Sequence, residues 1–213
     1  MLPLDPPHPL HSHALIPDEI VRRRVKAELR KRTRGLRKTA PLEACRARSA
    51  LIVEALSAMP AIAAARSVAL FWPIEERHEV DLRPLDERLR VRGVRLAYPA
   101  IDPETRQMTF RFVADPAALA EQGSGFLEPD PSSPAAAPGE LDAIVVPAIV
   151  LAPSGHRIGY GAGYYDRTLP AFAPPAVTVG VGYDYQLLAE VPVTEGDVAV
   201  AWIVTDKRTM LAG

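Results

Sequence analysis

A chain of 213 residues with 48% apolar side chains is long enough for one sizeable α/β domain and too short for two ordinary ones. A formal net charge of −1 argues against a general nucleic-acid or membrane-surface protein, and the lone cysteine, Cys45, excludes an internal disulfide or a cysteine-built zinc cluster. No run approaches the roughly 20 apolar residues of a membrane span, and the N-terminus lacks a signal-peptide core. The expected home is a reducing cytoplasm, with no membrane and no nucleic acid as partner.

The first seventeen residues hold five prolines and three of the five histidines. A proline-rich terminus does not hold rigid ligand geometry, so residues 1–17 read as a disordered tail and His8, His11 and His13 not as a metal tract. Residues 18–213 then form the domain. Asp18 offers an N-cap for a basic helix, in which Val21, Val25 and Leu29 form one apolar stripe. Ten of the 25 Lys and Arg lie between Arg22 and Lys38. Pro41 ends this helix. A second follows from Leu42 to Ala58, with Leu51, Ile52, Ala55, Leu56 and Met59 inward.

Strands and helices alternate from there. SVALFW (Ser67–Trp72) is a buried strand bounded by Pro73, and Asp81–Arg92 has helical spacing that stops at Gly93. VRLAYP, TFRFV, AIVVP, VTVGVGY and WIVT read as further strands. The segment EPDPSSPAAAP, from Glu128 to Pro138, has no periodicity and reads as a surface excursion. This alternation predicts an α/β fold, a single domain with a mainly parallel sheet covered by helices on both faces. Ligands in such folds gather at the C-terminal ends of the strands.

The most informative segment is VPAIVLAPSGHRIGYGAGYYDR, Val146–Arg167. Gly159, Gly161 and Gly163 alternate between a buried strand and a short helical pattern. Glycines at this density let backbone N–H groups approach an anion, and a helix N-terminus behind them adds partial positive charge. Arg157 supplies a full charge at the entrance, and Asp166 stands where a carboxylate can hold Mg²⁺ beside phosphates. A Walker A loop needs a lysine that is missing here, and GxGxxG begun at Gly159 meets Tyr164 where glycine is required. The alternative is a turn that merely joins two elements, but Arg157, the Tyr164-Tyr165 pair and Asp166 are not turn chemistry.

The string GHRIGYGAGYYDR resembles the signature of the 5-formyltetrahydrofolate cyclo-ligase family. Three further pieces match that family in order: Lys26-Ala27-Glu28-Leu29-Arg30, WPIEERHEVD (Trp72–Asp81) and VPVTEGD (Val191–Asp197). The resemblance spans Lys26 to about Thr205. It implies ATP-dependent conversion of 5-formyltetrahydrofolate to 5,10-methenyltetrahydrofolate, with ATP and the folate as partners and Mg²⁺ as cofactor.

By that resemblance Lys26, Arg30, Arg157, Ile158, Gly159, Tyr160, Gly161, Ala162, Gly163, Tyr164 and Tyr165 contact ATP. Ile74, Glu79, Tyr160 and Tyr164 contact the folate, and Asp166 and Asp197 hold the metal. Lys26 and Arg30 stand at i and i+4, on one side of the first helix. The other reading for any one cation there is a solvated basic face, to which Arg22 and Arg37 are assigned. Glu79 could equally be surface charge, Asp197 a turn residue beside Gly196, and each tyrosine either a stacking ring or packing under the loop. Gly161 and Gly163 are needed either for a positive φ or for close approach to phosphate, and the second is favoured.

Two departures from the family pattern stand out. Ala162 lies where some relatives carry lysine, and Ala201 where an acidic residue is common. The rival functions are a non-catalytic nucleotide- or folate-binding relative and an RNA-binding module. The latter lacks interleaved aromatic and basic residues. The expected assembly is a monomer or weak dimer.

Overall fold

A computed structural model describes residues 17–102 and 104–213. Residues 1–16 of the expected tail, with its three histidines, lie outside the described residues, and Pro17 already opens the first helix. In chain order the elements are helices α1 (Pro17–Thr39), α2 (Leu42–Ala58) and α3 (Pro60–Ala63), strand β1 (Ser67–Ala69), a 3-10 turn (Glu75–Arg77) and helix α4 (Arg83–Val91). Strands β2 (Arg95–Ile101), β3 (Met108–Phe112), β4 (Ala120–Glu121), β5 (Leu127–Glu128), β6 (Ala143–Pro147), β7 (Val150–Leu151) and β8 (Arg157–Ile158) follow. Helix α5 (Tyr164–Thr168), a 3-10 turn (Leu169–Ala171) and strands β9 (Val177–Val181), β10 (Trp202–Val204) and β11 (Thr209–Leu211) complete the chain. Among the described residues no helix is long and apolar enough to cross a membrane.

Seven strands form one sheet in the order β11-β10-β9-β6-β1-β2-β3. The four inner pairings are parallel, and only the edges β3 and β11 run antiparallel. The alternation of side chains along the strands divides two cores. Val68, Leu96, Tyr98, Val145 and Val204 face one way, with Ile52 and Leu56 of α2 and Leu85 and Leu89 of α4. Ala69, Ala97, Ile144, Val146 and Ile203 face the other way, where Leu169 and Phe172 after α5 close over them. The predicted α/β architecture with covered faces is the one observed.

The strand order reverses between β1 and β6. From β1 the chain moves through α4 to β2 on one side, and from β6 through α5 to β9 on the other. Crossovers of one hand running in opposite directions put their helices on opposite faces and open a crevice where the order turns.

Three sequence expectations need correction. In α1 the proposed stripe faces water: Val21 is 55% and Val25 41% exposed, and only Leu29 packs inward. The buried residues of α1 are instead Lys26, Thr33 and Arg37, because this helix lies across the β7–β8 hairpin and the 75–77 turn and not on the sheet. Asp18 sits inside the first turn, paired with Arg22 at i+4, and is not the cap. In α2 the inward set is Cys45, Ser49, Ile52, Val53 and Leu56, and Leu51 is exposed, since its position falls off the three-and-four spacing of the others.

The segment 128–138 is also more than an excursion. Phe112 N–H donates to the Pro134 carbonyl and Ala136 N–H to that of Phe110, so the segment covers the open edge of β3. Glu128 is buried and accepts from Ile101 N–H at 2.7 Å.

Candidate active site

A cleft of about 1070 Å³ opens at the C-terminal ends of the parallel strands. Phe71 and Trp72 after β1, Pro99 and Ile101 of β2 and Pro147 of β6 form its floor, which places it at the reversal of strand order. That volume is at the upper end of what one small ligand needs, so it has room for two. Eight Lys or Arg side chains and four carboxylates are among the lining residues, an excess of positive charge suited to a polyphosphate.

All the residues singled out from the sequence reach this one cleft. Lys26 and Arg30 come from α1, Ile74 and Glu79 from the loop after β1, Arg157 to Asp166 from the glycine loop and Asp197 from the turn before β10. They are held together by a few charged contacts. Arg30 Nε donates to the Gly159 carbonyl at 2.8 Å, tying α1 to the glycine loop. Lys26, 7% exposed, is ion-paired with Asp197 and donates to Thr194 Oγ1 at 2.7 Å. Arg157, expected as an open charge at the entrance, is 4% exposed and donates to Asp166 Oδ1 at 3.0 Å and to the Val198 carbonyl. Val198 N–H donates to that same Asp166 oxygen, so the two aspartates meet across one residue of backbone.

The two cations and two aspartates therefore neutralise one another pairwise. Burial pushes the Asp197 carboxyl up, but Lys26 and the Thr194 N–H and hydroxyl outweigh it and hold the group below its ordinary range. In each aspartate the protein hydrogen bonds go to one oxygen: Oδ1 of Asp166, Oδ2 of Asp197. The second oxygen of each is left to the cleft. Among the described residues no three metal-binding side chains cluster. Two carboxylate oxygens with no soft ligand fit a hard divalent cation that takes its other ligands from phosphate and water.

Gly161 and Gly163 have φ of +107° and +68°, so both need glycine for the backbone conformation itself. This corrects the preference for phosphate approach as their sole reason. Helix α5, at five residues, is also too short to supply a useful dipole. Ala162 lines the cleft but brings no charge to it, and its carbonyl accepts from Arg167 Nη1 at 2.9 Å.

Glu79 lies inside the cleft wall, and the reading of it as surface charge is set aside: its side chain is 6% exposed. Ile74 N–H donates to Oε2 at 3.0 Å and the Tyr160 hydroxyl donates to Oε1. Burial first, and then the Glu79 charge, raise the Tyr160 hydroxyl above the ordinary phenol range, with Arg37 opposing. Tyr165 packs against Phe110, and its hydroxyl is buried without a partner among the described residues. Tyr164 packs on the same core beside Arg167.

With the site in view, similarity to known proteins becomes decisive. The profile of the 5-formyltetrahydrofolate cyclo-ligase family matches residues 22–206. The chain belongs to that family. The 5-formyltetrahydrofolate cyclo-ligase of Mycolicibacterium smegmatis is 43% identical over 98 residues, 46% of this chain and 50% of that relative. That match thus spans half the relative's length. The Escherichia coli (strain K12) cyclo-ligase is 29% identical over 152 residues, 70% of this chain and 82% of its own. The NMR structure of Aquifex aeolicus 5,10-methenyltetrahydrofolate synthetase superimposes with a TM-score of 0.77 at 30% identity, over 88% of this chain and 93% of that one.

Part of the cleft is not legible in the sequence. Arg34, Arg77, Trp72 and Phe126 line it, and Arg37, assigned to solvent, is buried behind it against Tyr160. Arg34 and Arg37 carry a signal in retrospect. They stand four and seven residues after Arg30, on the same side of a helix whose apolar stripe is too thin to be its buried face.

Proposed function

We propose that this chain uses ATP to convert 5-formyltetrahydrofolate to 5,10-methenyltetrahydrofolate, releasing ADP and phosphate. The observation that carries the reading is one positively charged cleft, in a cyclo-ligase family member, between the loop GHRIGYGAGYYDR and Glu79. Lys26, Arg30, Arg157 and the loop from Ile158 to Tyr165 hold ATP. Ile74, Glu79, Tyr160 and Tyr164 hold the folate, whose pterin N–H donors suit the carboxylate of Glu79. Asp166 and Asp197 offer their outer oxygens to Mg²⁺, which when bound neutralises phosphate charge.

The chemical problem is the formyl oxygen, a poor leaving group on an amide. Its attack on the γ-phosphorus breaks the bond to ADP and leaves a phosphorylated, cationic imidate. N10 of the folate adds to the formyl carbon and gives up its proton. The carbon–oxygen bond then breaks, with its electron pair leaving on phosphate, and the ring is closed. The chain's part is positioning and charge: Arg30 ties the ATP loop to α1, and the Lys26–Asp197 and Arg157–Asp166 pairs keep the surrounding charges in place without a nucleophile.

Residues 18–213 act as one catalytic unit, in the cytoplasm and as a monomer or weak dimer. The test is absorbance of the methenyl product from 5-formyltetrahydrofolate, with and without ATP. ATP-dependent growth of that band is expected. Binding of both ligands without turnover would instead favour the non-catalytic relative.

A further inference from the structure

Arg37 has no role in the scheme above, and its surroundings give it one. Its side chain is 4% exposed although it belongs to the last turn of a basic helix. A cation there ordinarily serves the free carbonyls of the helix end from the surface, as exposed Lys38 beside it can. Arg37 turns inward instead. Its Nη2 donates to the Tyr160 hydroxyl at 2.6 Å and lies 3.9 Å from Glu79 Oε1, which accepts from that same hydroxyl. Its Nε is buried with no partner among the described residues, so helix packing alone does not account for the burial of this charge. Its carbonyl meets His78 Nδ1 at 3.0 Å, which fastens the residue next to Glu79 to the same helix turn.

We propose that Arg37 is a positioning residue, holding the Glu79 carboxylate and the Tyr160 hydroxyl in the arrangement that receives the folate. This rests on the reading that Glu79 and Tyr160 contact the folate. Without the guanidinium, the buried Glu79 carboxylate and the Tyr160 hydroxyl are left with each other and one backbone N–H. The nearest remaining cation at Tyr160 is Arg77, whose guanidinium lies 4.7 Å from the ring centre on the cleft side. Glu79 and Tyr160 would then be free to turn towards it, out of the arrangement in which they meet the substrate. Of the ATP-side residues only Tyr160 touches Arg37, through its hydroxyl, while Arg30, Lys26 and Arg157 are held by other partners.

The experiment measures both KM values, kcat and melting temperature for R37M, R37K, E79Q and the R37M/E79Q double variant. The expected result for R37M is a rise of roughly tenfold or more in the folate KM with the ATP KM changed less than about twofold. R37K keeps the charge but not the planar fork, so the folate KM should rise at least about threefold. The double variant should lose clearly less than the two single losses combined, because Arg37 and Glu79 act on the same arrangement. If E79Q leaves the folate KM unchanged, the folate reading of Glu79 itself fails. If E79Q raises it and R37M does not, or R37M raises both KM values together, the positioning proposal is overturned. Should R37M fail to fold, a parent-like folate KM in R37K overturns it equally.

Discussion

Gly159 differs from its neighbours in the glycine loop. Gly161 and Gly163 occupy the left-handed region, where any other residue is strained whatever a ligand does. Gly159 does not, and a Cβ built on it meets nothing within 4 Å. It is therefore the position at which the two reasons for a glycine separate. Gly159→Ala should leave the melting temperature unchanged and raise the ATP KM about tenfold, because a methyl group obstructs a phosphate lying on the backbone. Gly161→Ala should lose about 1–2 kcal/mol of stability from backbone strain alone. Calorimetry on the two variants, with ATP titration, checks both. An unchanged ATP KM in the first would reduce Gly159 to turn chemistry. From sequence the three glycines look alike, since φ is set by where the loop must go between β8 and α5.

At the scale of elements, the start of β1 is fastened by one side chain. Asp142 Oδ2, just before β6, accepts from Arg66 N–H at 2.8 Å and from Ser67 N–H and hydroxyl at 3.0 Å each. The Arg66 N–H leads in holding this carboxyl below its ordinary range, and with Ser67 it outweighs the opposing cost of burial. A carboxyl depressed in the folded state stabilises it above the unfolded value of about 3.9 and ceases to do so as pH falls through the folded value. Asp142→Ala should thus lower stability by about 1 kcal/mol at neutral pH. The difference from the parent should close in acid, below about pH 4. Melting temperatures across pH 2–8 give the answer, and a constant offset would show that the charge is irrelevant. The α1 stripe teaches the matching lesson about elements. Val21, Val25 and Leu29 have a helix's spacing, and the helix exists, but its buried face is polar because it closes over a charged cleft.

Across the whole molecule, the cleft is assembled from segments far apart in sequence: α1, the loop after β1, the glycine loop and the 194–197 turn. Ligands that bridge these segments bind the folded chain and not the unfolded one. At about 100 times its Kd, ATP with Mg²⁺ should therefore add about 2.7 kcal/mol. That corresponds to a rise of roughly 5–10 °C in melting temperature for a chain of this size. Chelating the metal should remove most of the ATP effect and little of the folate effect. Equal losses for both would argue against Asp166 and Asp197 as ligands of a phosphate-bound cation.

What the sequence by itself determined is local and repetitive. Apolar runs of strand length alternating with helices dictated a mainly parallel α/β sheet, and the ordered motifs from Lys26 to Asp197 carried the family. A continuous apolar run needs no partner to be legible, because every inner strand here must bury both faces. The tertiary structure alone decided which charges meet. Arg37 and Glu79 are 42 positions apart, Lys26 and Asp197 are 171 apart, and nothing in the local spacing of either pair announces an ion pair. Arg22 and Arg37 are both arginines in the same basic helix, yet one is half in water and the other sealed against Tyr160. The difference is the rotation of α1 about its axis against the β7–β8 hairpin, a property of packing to which no single residue's chemistry is a guide.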